Sequence, residues 1–367
     1  QSSRGALMKT LMIAGGGTGG HIYPAIAIAR EYVTRDASRK VIFIGTERGL
    51  EKTIVPKAGF PLEFINVGGL KGKGGLDLLR NVARLPLGFI DAWRAVGRHK
   101  PDAVLGVGGY SSGPVLVAAK LRGVPTIVHE ANAFPGLANR VVARWVTAVA
   151  VAFQEALPRM KRADGVVTGN PIRKEFFDAA KPARTGNRQR LLIFGGSQGS
   201  RVLNDAMTGA LLFLARHKET LEIVHQTGPN ELEKVVTAYS QSAFTDARVV
   251  PYLDPIVDEI AAADVVVCRA GAMTIGELSA IGRAAVLVPF AAATNNHQEL
   301  NARVVERAGG AVVITEAELS PERLAGAISE IAADPERAAR MGTASKTLAT
   351  PDATKTIVDL IERIQKN

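Results

Sequence analysis

The stretch LMIAGGGTGGHIYP, residues 11–24, places an apolar run, five glycines and a histidine one after another. Residues 11–14 have the pattern of a short buried strand, and residues 24–33 predict a helix with Pro24 in its opening turn. The loop between them has few side chains, so a ligand can approach its backbone N–H groups, and the helix N-terminus behind it favours negative charge. His21, at the end of this loop, requires a separate explanation.

The same succession of strand and helix recurs along the chain. Strands separated by helices form parallel sheets with right-handed crossovers, so two series of them predict two doubly wound α/β domains. We expect the domains to join near residues 169–190, and a last helix to span residues 352–365. The strands are predicted at residues 11–14, 41–44, 103–107, 126–129 and 166–168, then at residues 191–194, 221–225, 265–268 and 285–288.

Composition limits the possible classes of protein. A chain of 367 residues is too long for one typical core, which agrees with two domains. The formal charge of +10 and the pI near 9.8 indicate an anionic partner: nucleic acid, a phosphorylated substrate or an acidic membrane surface. The single cysteine, Cys268, excludes an internal disulfide and fits a reducing cytoplasm. No apolar run approaches the ~20 residues that span a bilayer, no secretory signal is recognisable, and residues 1–7 are expected to lie outside the fold.

Four glycine-containing loops follow predicted strands, at residues 15–21, 106–113, 195–200 and 269–277. Doubly wound domains bind ligands outside the carboxyl ends of their strands, so we expect these loops to face one crevice. Gly15, Gly17 and Gly20 satisfy the dinucleotide pattern G-x-G-x-x-G. However, Asp36 precedes the next strand instead of ending it, which argues against a nicotinamide dinucleotide.

Motifs for metal or covalent chemistry are few. The sequence contains no C-x-x-C, H-E-x-x-H, G-x-x-x-x-G-K-[ST] or D-x-D pattern, so we expect no metal site. The hydrolase pattern G-x-S-x-G occurs twice, the second time at residues 195–199, and acids and His297 follow Ser197, so a serine nucleophile stays an alternative.

A nucleic-acid-binding module would explain the charge, but aromatic residues make up only 5% of the chain, which argues against stacking platforms for bases. A phosphate could instead be neutralised by backbone N–H groups at residues 197–200 and by Arg173.

Seven short motifs occur in order along nearly the whole chain from Met8. They are GGTGGH (residues 16–21), GGYSSGP (108–114), HEANAFPG (129–136), GNPIR (169–173), GGSQG (195–199), CRAGAMTIGE (268–277) and NHQELNA (296–302). Together they resemble the MurG family, the bacterial N-acetylglucosaminyltransferases of glycosyltransferase family 28 that convert lipid I to lipid II.

The resemblance implies the GT-B architecture, in which two Rossmann-like doubly wound domains face each other across a cleft. It places an N-terminal acceptor- and membrane-binding domain at residues 8–170 and a C-terminal domain for the donor UDP-GlcNAc at residues 171–351. The helix at residues 352–365 is expected to pack back on the first domain. No cofactor is expected. A UDP-sugar epimerase or a different sugar-nucleotide transferase of the same fold remains the alternative.

The family's donor contacts carry over to positions of this sequence. The resemblance places Arg173, Tyr252 and Leu253 near the uridine. It places Ser197 at a phosphate and Glu277 at the ribose hydroxyls. The remaining donor contacts that it implies are Thr18, Gly19, Gly20, Asn132, Gln198, Gly199, Ala272, Met273, Thr274, Ile275 and Gly276.

The contacts with the two sugars follow in the same way. His297 and Gln298 correspond to the pair that reads the GlcNAc hydroxyls. The enterobacterial pair is Gln-Gln, and residues 291–296 form a segment one residue longer than there, so direct contact by His297 stays open. Acceptor contacts are expected at Gly16, Gly17, Gly108, Gly109, Tyr110, Ser111 and Ser112.

The donor sugar is α-linked and the family product is β-linked, which implies a single displacement with inversion and requires a base for the acceptor hydroxyl. His21 is the predicted base, because a histidine has a reference pKa near 6.5 and this one ends a loop with few side chains. A histidine that caps the helix or packs the loop is the alternative. Glu130 and Glu277 are the other acids in the motifs, and Glu277 is better used on the ribose.

Residues 71–100 combine seven Lys or Arg with two acids and several large apolar side chains. Such a mixture fits an interfacial contact with anionic inner-membrane lipids, or an amphipathic helix whose apolar stripe lies in the core. We therefore expect a peripheral protein at the cytoplasmic face of the inner (plasma) membrane. Its expected partners are UDP-GlcNAc, lipid I, anionic lipids and the proteins of cell-wall synthesis and division, without nucleic acid. The proposed membrane patch consists of Lys71, Lys73, Leu76, Leu79, Arg80 and Trp93.

Overall fold

Two structural units make up the chain, and the computed structural model describes residues 9–67, 75–180, 182 and 187–366. The N-terminal unit comprises Gln1–Ile172 with Asp352–Asn367, and the C-terminal unit comprises Arg173–Pro351. The division thus falls after residue 172, where the sequence predicted 170. Each unit is a parallel sheet combined with helices, which confirms the predicted α/β class with two Rossmann-like domains.

The strands of the N-terminal unit are β1 (Thr10–Ala14), β2 (Lys40–Gly45), β3 (Leu62–Phe64), β4 (Ala103–Gly106), β5 (Thr126–Glu130), β6 (Ala148–Val151) and β7 (Val166–Val167). They form one parallel sheet in the order β3-β2-β1-β4-β5-β6-β7. Ala14, the last residue of β1, lies beside Ile44 of β2 and Gly106 of β4. The strand order reverses at β1 and β4, so their carboxyl ends form the switch point at which this fold binds ligands.

The helices of this unit are α1 (Gly19–Thr34), α2 (Glu51–Lys57), α3 (Gly75–His99), α4 (Ser112–Leu121), α5 (Leu137–Val142) and α6 (Leu157–Met160). Helix α1 begins earlier than the sequence predicted, with Thr18 in extended conformation before it and Pro24 inside it. The prediction began this helix at Pro24, because proline is favoured in the opening turn of a helix. First-turn N–H groups need no intrahelical partner, however, so Gly19 and Gly20 fit there. His21 therefore lies in the first turn of a helix.

The core of the N-terminal unit lies on both faces of its sheet. Successive residues of a strand point to opposite faces, and β1 follows this rule. Leu11 and Ile13 pack with buried residues of α1 on one face. Met12 and Ala14 pack with α3 and α4 on the other. Strand β1 is therefore covered on both sides, which explains its uninterrupted apolar sequence.

The strands of the C-terminal unit are β8 (Gln189–Phe194), β9 (Leu221–Gln226), β10 (Arg248–Val250), β11 (Val265–Cys268), β12 (Ala284–Leu287) and β13 (Ala311–Val313). They form a second parallel sheet in the order β10-β9-β8-β11-β12-β13. Phe194 of β8 lies beside Cys268 of β11. The switch point of this sheet lies between these two strands.

The helices of the C-terminal unit are α7 (Lys174–Asp178), α8 (Arg201–Leu214), α9 (Leu232–Ser240), α10 (Ile256–Ala262), α11 (Ala272–Ile281), α12 (His297–Arg307), α13 (Pro321–Ala332) and α14 (Pro335–Lys346). Side chains cap several N-termini, since the Ser320 hydroxyl accepts from Arg323 N and the Asp334 carboxylate accepts from Arg337 N. One face of the sheet packs against α8, α9 and α13 in a core that includes Phe244 and Ile328.

The last helix, α15 (Ala353–Ile364), belongs to the N-terminal unit and packs against α1. Its residues Ile357 and Ile361 are fully buried in the core that contains α1. At the edge of this contact, Arg35, which directly follows α1, pairs with Asp359 at 2.5 Å and with Glu362 at 3.1 Å. No helix in the described part of the chain is long and apolar enough to cross a bilayer.

Candidate active site

The four glycine-containing loops lie at the switch points of the two sheets. In the N-terminal unit they follow β1 and β4, and in the C-terminal unit they follow β8 and β11. These are the strand pairs at which each strand order reverses, where neighbouring loops diverge and leave a crevice for a ligand. The topology therefore gives each unit its own candidate site.

The side chain of His21, in the first turn of α1, lies beside the loop after β4. Its ring is half-buried, and its Nδ1 lies 3.3 Å from the Thr18 hydroxyl oxygen. A Cβ atom placed on Gly108, whose φ is +97°, would lie 3.0 Å from His21 Nε2. If Nδ1 carries the proton and donates to Thr18, Nε2 is the basic nitrogen, and it lies beside Gly108.

A second histidine of the unit, His129, is suited to a structural role. It is buried at the end of β5, and its Nε2 donates to the Gly169 carbonyl at 3.1 Å. Burial lowers the pKa of His129 despite this hydrogen bond and the nearby Glu130. His129 is therefore neutral at physiological pH and holds the chain at Gly169.

Glu130, the other acid considered as a base, braces the loop that follows it. Its Oε1 accepts from the backbone and side-chain nitrogens of Asn132, at 2.9 and 3.1 Å. Its Oε2 accepts from Gly136 N at 3.0 Å and from Asn139 Nδ2 at 2.8 Å. Both oxygens are thus used to shape residues 130–139, and the predicted donor contact Asn132 is held by one of them.

The predicted acceptor contacts differ in their exposure. Tyr110 is half exposed, whereas Ser111 and Ser112 are almost fully buried at the start of α4. The side chains of these two serines are therefore enclosed by the protein, and their contact with the acceptor stays a prediction. Gly17 N donates to Glu51 Oε2 at 2.8 Å, so that amide already has an acceptor within the protein. Among the remaining expected contacts, Gly16 is buried, and Gly108 and Gly109 lie in the loop after β4.

Glu277, the predicted ribose contact, points from α11 toward Arg173. Only 18% of its side chain is exposed, and Oε1 lies 3.7 Å from the nearer guanidinium nitrogen. Burial raises the pKa of Glu277 to about 7, and Arg173 opposes the shift by a smaller amount. Arg173 is held by Glu175 at 2.8 Å and lies over the Phe176 ring at 4.8 Å. A donor's hydroxyls would thus meet a carboxyl and a guanidinium whose positions are already set.

The GGSQG loop exposes Ser197 and Gln198 and turns back on itself through a Gly199 N to Gly196 O bond of 2.9 Å. No described residue makes a hydrogen bond to the Ser197 hydroxyl, so the described part of the chain shows no activated serine nucleophile. The exposed loop instead offers its hydroxyl and backbone to a ligand.

Arg269 connects this loop to the one after β12, and the sequence analysis did not select it. Its Nε donates to the Ser200 hydroxyl at 3.1 Å, while one terminal nitrogen pairs with Glu316 at 2.6 Å and bonds to the Val288 carbonyl at 3.2 Å. Only its position directly after β11, within CRAGAMTIGE, could have indicated this role. Its partners are 19 to 69 residues away in sequence, which a motif does not show.

Helix α11 begins at Ala272 after Gly271, which has no side chain to cap the helix. Its first amides are thus not capped by a side chain and favour an anionic ligand. Met273 and Thr274 are half-buried and Gly276 lies in the second turn. The Ile275 side chain is buried in the core, and contact of this residue with the donor stays a prediction.

The predicted sugar-reading pair begins α12. His297 Nδ1 donates to the Thr294 carbonyl at 2.7 Å, and Gln298 Oε1 accepts from Phe290 N at 3.0 Å. These bonds fix both side chains on the loop that Arg269 also holds. Near the predicted uridine position, Tyr252 is 55% exposed whereas Leu253 is buried. Leu253 is therefore suited to support that surface from beneath.

Within the described residues, no group of three or more His, Cys, Asp or Glu side chains is arranged to hold a metal ion.

Part of the predicted membrane patch lies outside what the structure describes. This applies to Lys71 and Lys73, and to the side chains of Leu76, Leu79 and Arg80 on α3. In the described half of α3, Leu87, Ile90 and Trp93 are exposed at a spacing of three residues, while Ala92, Ala95 and Val96 pack into the core. The Arg122 guanidinium stacks on the Trp93 ring, with its Cζ atom 4.0 Å from the ring centre. In its described half, helix α3 thus presents apolar side chains to the outside, and Phe89 packs against the core together with Ala92, Ala95 and Val96.

Two Rossmann-like units, each a parallel sheet with its own switch point, are the architecture of the GT-B class of glycosyltransferases. Residues 11–151 match the glycosyltransferase family 28 N-terminal domain, and residues 190–357 match the glycosyltransferase family 28 C-terminal domain. The chain belongs to glycosyltransferase family 28.

Relatives that align over nearly the full length show which kind of transferase within the family this chain is most similar to. A protein of Myxococcus xanthus (strain DK1622) is 46% identical over 96% of this chain and 92% of its own length. One of Pelobacter propionicus (strain DSM 2379) is 43% identical over 96% of this chain and 98% of its own. Both are named UDP-N-acetylglucosamine--N-acetylmuramyl-(pentapeptide) pyrophosphoryl-undecaprenol N-acetylglucosamine transferase. The crystal structure of Acinetobacter baumannii MurG superposes with a TM-score of 0.81 at 30% identity, covering 97% of this chain and 99% of that one.

Proposed function

We propose that this chain transfers GlcNAc from UDP-GlcNAc to the C4 hydroxyl of the MurNAc residue of undecaprenyl-pyrophosphoryl-MurNAc-pentapeptide, which is lipid I, and so makes lipid II. The observation that carries the proposal is the similarity to transferases of that name over 96% of the chain. The geometry of the two switch points supports it, since each has the groups that one half of the reaction needs.

The C-terminal unit binds the donor in this proposal. Glu277 accepts hydrogen bonds from the ribose hydroxyls, and Arg173, held by Glu175 and Phe176, lies beside it. The uncapped first turn of α11 and the exposed GGSQG loop face the diphosphate. Gln298, positioned by Phe290, reads the GlcNAc hydroxyls, with His297 as its neighbour. Thr18, Gly19, Gly20 and Asn132 are the donor contacts proposed on the N-terminal unit.

The N-terminal unit supplies the base. His21 Nε2 takes the proton of the acceptor hydroxyl as its oxygen forms a bond to C1 of GlcNAc. The bond between C1 and the UDP oxygen breaks at the same time, and the electron pair leaves with UDP. Attack opposite the leaving group inverts the α linkage to β. Thr18, which accepts from Nδ1 in the productive tautomer, keeps the basic nitrogen toward Gly108.

Departure of UDP develops negative charge that needs stabilisation. Arg173 and the N-terminal amides of α8 and α11 supply donors and dipoles that are already in place, each worth roughly 1 to 3 kcal/mol. In this proposal the protein groups are sufficient, and neither a cofactor nor a metal ion is required.

The exposed stripe of α3 contacts the membrane that holds the acceptor. Leu87, Ile90 and Trp93 enter the headgroup region, and the basic side chains around them face anionic lipids. This makes the protein peripheral, at the cytoplasmic face where nucleotide sugars are found. Proteins of cell-wall synthesis and division are its further proposed partners.

The test is to measure UDP release from UDP-GlcNAc with and without a soluble short-chain lipid I analogue, and to identify the product by mass and linkage. The proposal expects release that depends on the analogue and a β-linked disaccharide product. Conversion of UDP-GlcNAc without an acceptor would contradict it and favour an epimerase. Labelling of Ser197 by a fluorophosphonate would contradict it in favour of a serine hydrolase, and Ser197→Ala is the control for that label.

A further inference from the structure

Glu51 is a charged side chain buried beneath the first glycine loop. It is 1% exposed although it begins a surface helix, α2. Its Oε2 accepts from Gly17 N at 2.8 Å. Its Oε1 accepts from the backbone nitrogen and the hydroxyl of Thr46, both at 2.9 Å. Both oxygens therefore act as acceptors, which is the bonding of an ionised carboxylate.

The surrounding glycines leave room for this carboxyl group. A Cβ atom on Gly16 would lie 2.6 Å from Glu51 Oε2, and one on Gly49 would lie 2.5 Å from Glu51 Cδ. Any larger residue at these positions would displace the carboxyl group. Glycine at positions 16 and 49 is thus explained by an internal side chain, without any need for a ligand.

The carboxylate is held by neutral donors, since no ion pair to Glu51 is found among the residues that the structure describes. Burying a charge in this way costs free energy unless the charge is fully hydrogen-bonded, and an apolar side chain of similar size would avoid the cost. The buried Glu51 carboxylate lowers the stability of the fold and lies beside a proposed catalytic loop, which points to a role in positioning that loop.

We propose that Glu51 is a positioning residue for His21. The inference rests on the proposed role of His21 as the base. Glu51 fixes Gly17, whose φ is +92°, and Gly17 is followed directly by Thr18. The Thr18 carbonyl accepts from His21 N at 3.1 Å, and its hydroxyl lies 3.3 Å from His21 Nδ1. The chain Glu51, Gly17, Thr18, His21 therefore sets the position of the imidazole.

The same contact removes one amide of the loop from binding an anionic ligand. The Gly17 amide, which would otherwise face an anionic ligand, is already bonded to an anion of the protein. A negative charge beneath the loop also opposes a second one above it. The Gly17 amide therefore serves to position the base and is not available to a phosphate.

The test compares Glu51→Gln, His21→Ala and the double variant, with kcat and both KM values measured on UDP-GlcNAc and the soluble acceptor analogue. Glutamine keeps the size, but its amide nitrogen must face a backbone N–H group. We expect Glu51→Gln to lower kcat about ten- to hundredfold with both KM values within about twofold of wild type. The double variant is expected to be no slower than His21→Ala, because Glu51 acts through His21. Glu31→Gln, a carboxyl near the other end of α1 that pairs with Arg35, is the matched control and should keep wild-type kcat.

Three results would overturn the inference while His21→Ala remains impaired: wild-type kcat in folded Glu51→Gln, additive losses in the double variant, or a lower acceptor KM with kcat retained. The last would show that the loop takes up the acceptor's diphosphate. Wild-type kcat in His21→Ala would instead remove the base assignment and this inference together. If Glu51→Gln does not fold, Thr46→Val is tested in its place. This variant removes the hydrogen bond from the Thr46 hydroxyl to Glu51 and should lower kcat about two- to tenfold with unchanged KM values. An unchanged kcat in Thr46→Val would contradict the positioning role of Glu51.

Discussion

Glu277 shows a conflict between stability and ligand binding. Its pKa in the folded protein is about 7 because the carboxyl group is buried, compared with 4.5 for an unperturbed glutamate. A carboxyl whose pKa is raised by folding stabilises the folded state below pH 4.5, and this stabilisation is lost as pH rises through 7. At pH 8 the ionised group costs up to about 3 kcal/mol. The proposed binding of the two ribose hydroxyls of UDP-GlcNAc is a physical reason to retain a buried carboxyl group at position 277 despite this cost.

We therefore expect Glu277→Gln, which cannot ionise, to melt at a higher temperature than wild type at pH 8 but not at pH 5. Thermal melting of both proteins across this range measures the difference. Glu175→Gln is the matched control, since this carboxyl faces the same arginine but is half exposed. A difference in melting temperature that did not change with pH would show that ionisation of Glu277 carries no cost.

Glu277→Ala should raise the donor KM by about ten- to hundredfold, because two ribose hydroxyls lose a charged acceptor worth ~1.5 to 3 kcal/mol. Steady-state kinetics with varied UDP-GlcNAc measure this, and the acceptor KM of the same variant is the internal control. A donor KM within about a factor of two of wild type would remove Glu277 from the ribose.

Individual residues were predictable where a motif and a switch point coincide. His21, Ser197 and Glu277 lie on the loops and helices that follow the central strands, as the sequence indicated. Arg269 and Glu51 were missed because their partners are remote in sequence and become neighbours only in the folded sheet. The burial of Ser111 and Ser112 was not predictable, since a motif does not show which of its side chains are buried.

Strands with uninterrupted apolar sequence were predicted to within a residue or two, as β1 and β11 show. These strands are covered on both faces, so burial dictates every position. The prediction missed the short strands β3, β6, β10 and β13, which have three or four residues each. Strands β3 and β10 each include a charged residue, and short apolar runs such as those of β6 and β13 do not distinguish a strand from a helix segment. The start of α1 was predicted too late, because Pro24 was taken as its opening turn although the helix begins at Gly19.

Helix α15 belongs to the N-terminal unit, although its residues follow the whole C-terminal unit in the sequence. Ile361→Ala should destabilise this unit by about 2 to 5 kcal/mol, because Ile361 is fully buried in the core that contains α1. Denaturant unfolding measures the loss, and Arg363→Ala, on the exposed side of the same helix, should change stability little. An Ile361→Ala protein as stable as wild type would show that α15 contributes little to the unit.

The whole chain has an excess of positive charge, and an exposed apolar stripe on its N-terminal unit. Together these features fit a protein that works on a lipid-linked substrate at an anionic surface. Charge alone predicted only an anionic partner, because it does not distinguish a phosphate from a lipid headgroup. The exposure of the stripe could be established only from the structure.

Replacing Leu87, Ile90 and Trp93 together by serine should weaken binding to anionic liposomes while turnover of a soluble acceptor analogue is retained. Sedimentation with vesicles that contain phosphatidylglycerol measures the binding. Serine at Val202, Leu212 and Phe213, which are exposed on α8 of the C-terminal unit, is the matched control and should leave liposome binding unchanged. Equal losses of liposome binding in the two triple variants would mean that α3 is not a specific membrane contact.

The central claim is that His21 acts as the base of an inverting GlcNAc transfer, and the dependence of kcat on pH in wild type and His21→Ala tests it most directly. The account predicts a loss of kcat of roughly 10² to 10⁴ in the variant with little change in the donor KM. It also predicts that the acid limb of the wild-type profile disappears in the variant, because a protonated imidazole cannot accept the hydroxyl proton. Melting curves confirm that both proteins are folded at the assay temperature. An acid limb that persists in His21→Ala, with a loss of kcat below about tenfold, would contradict the claim and leave His21 as a residue that packs the loop.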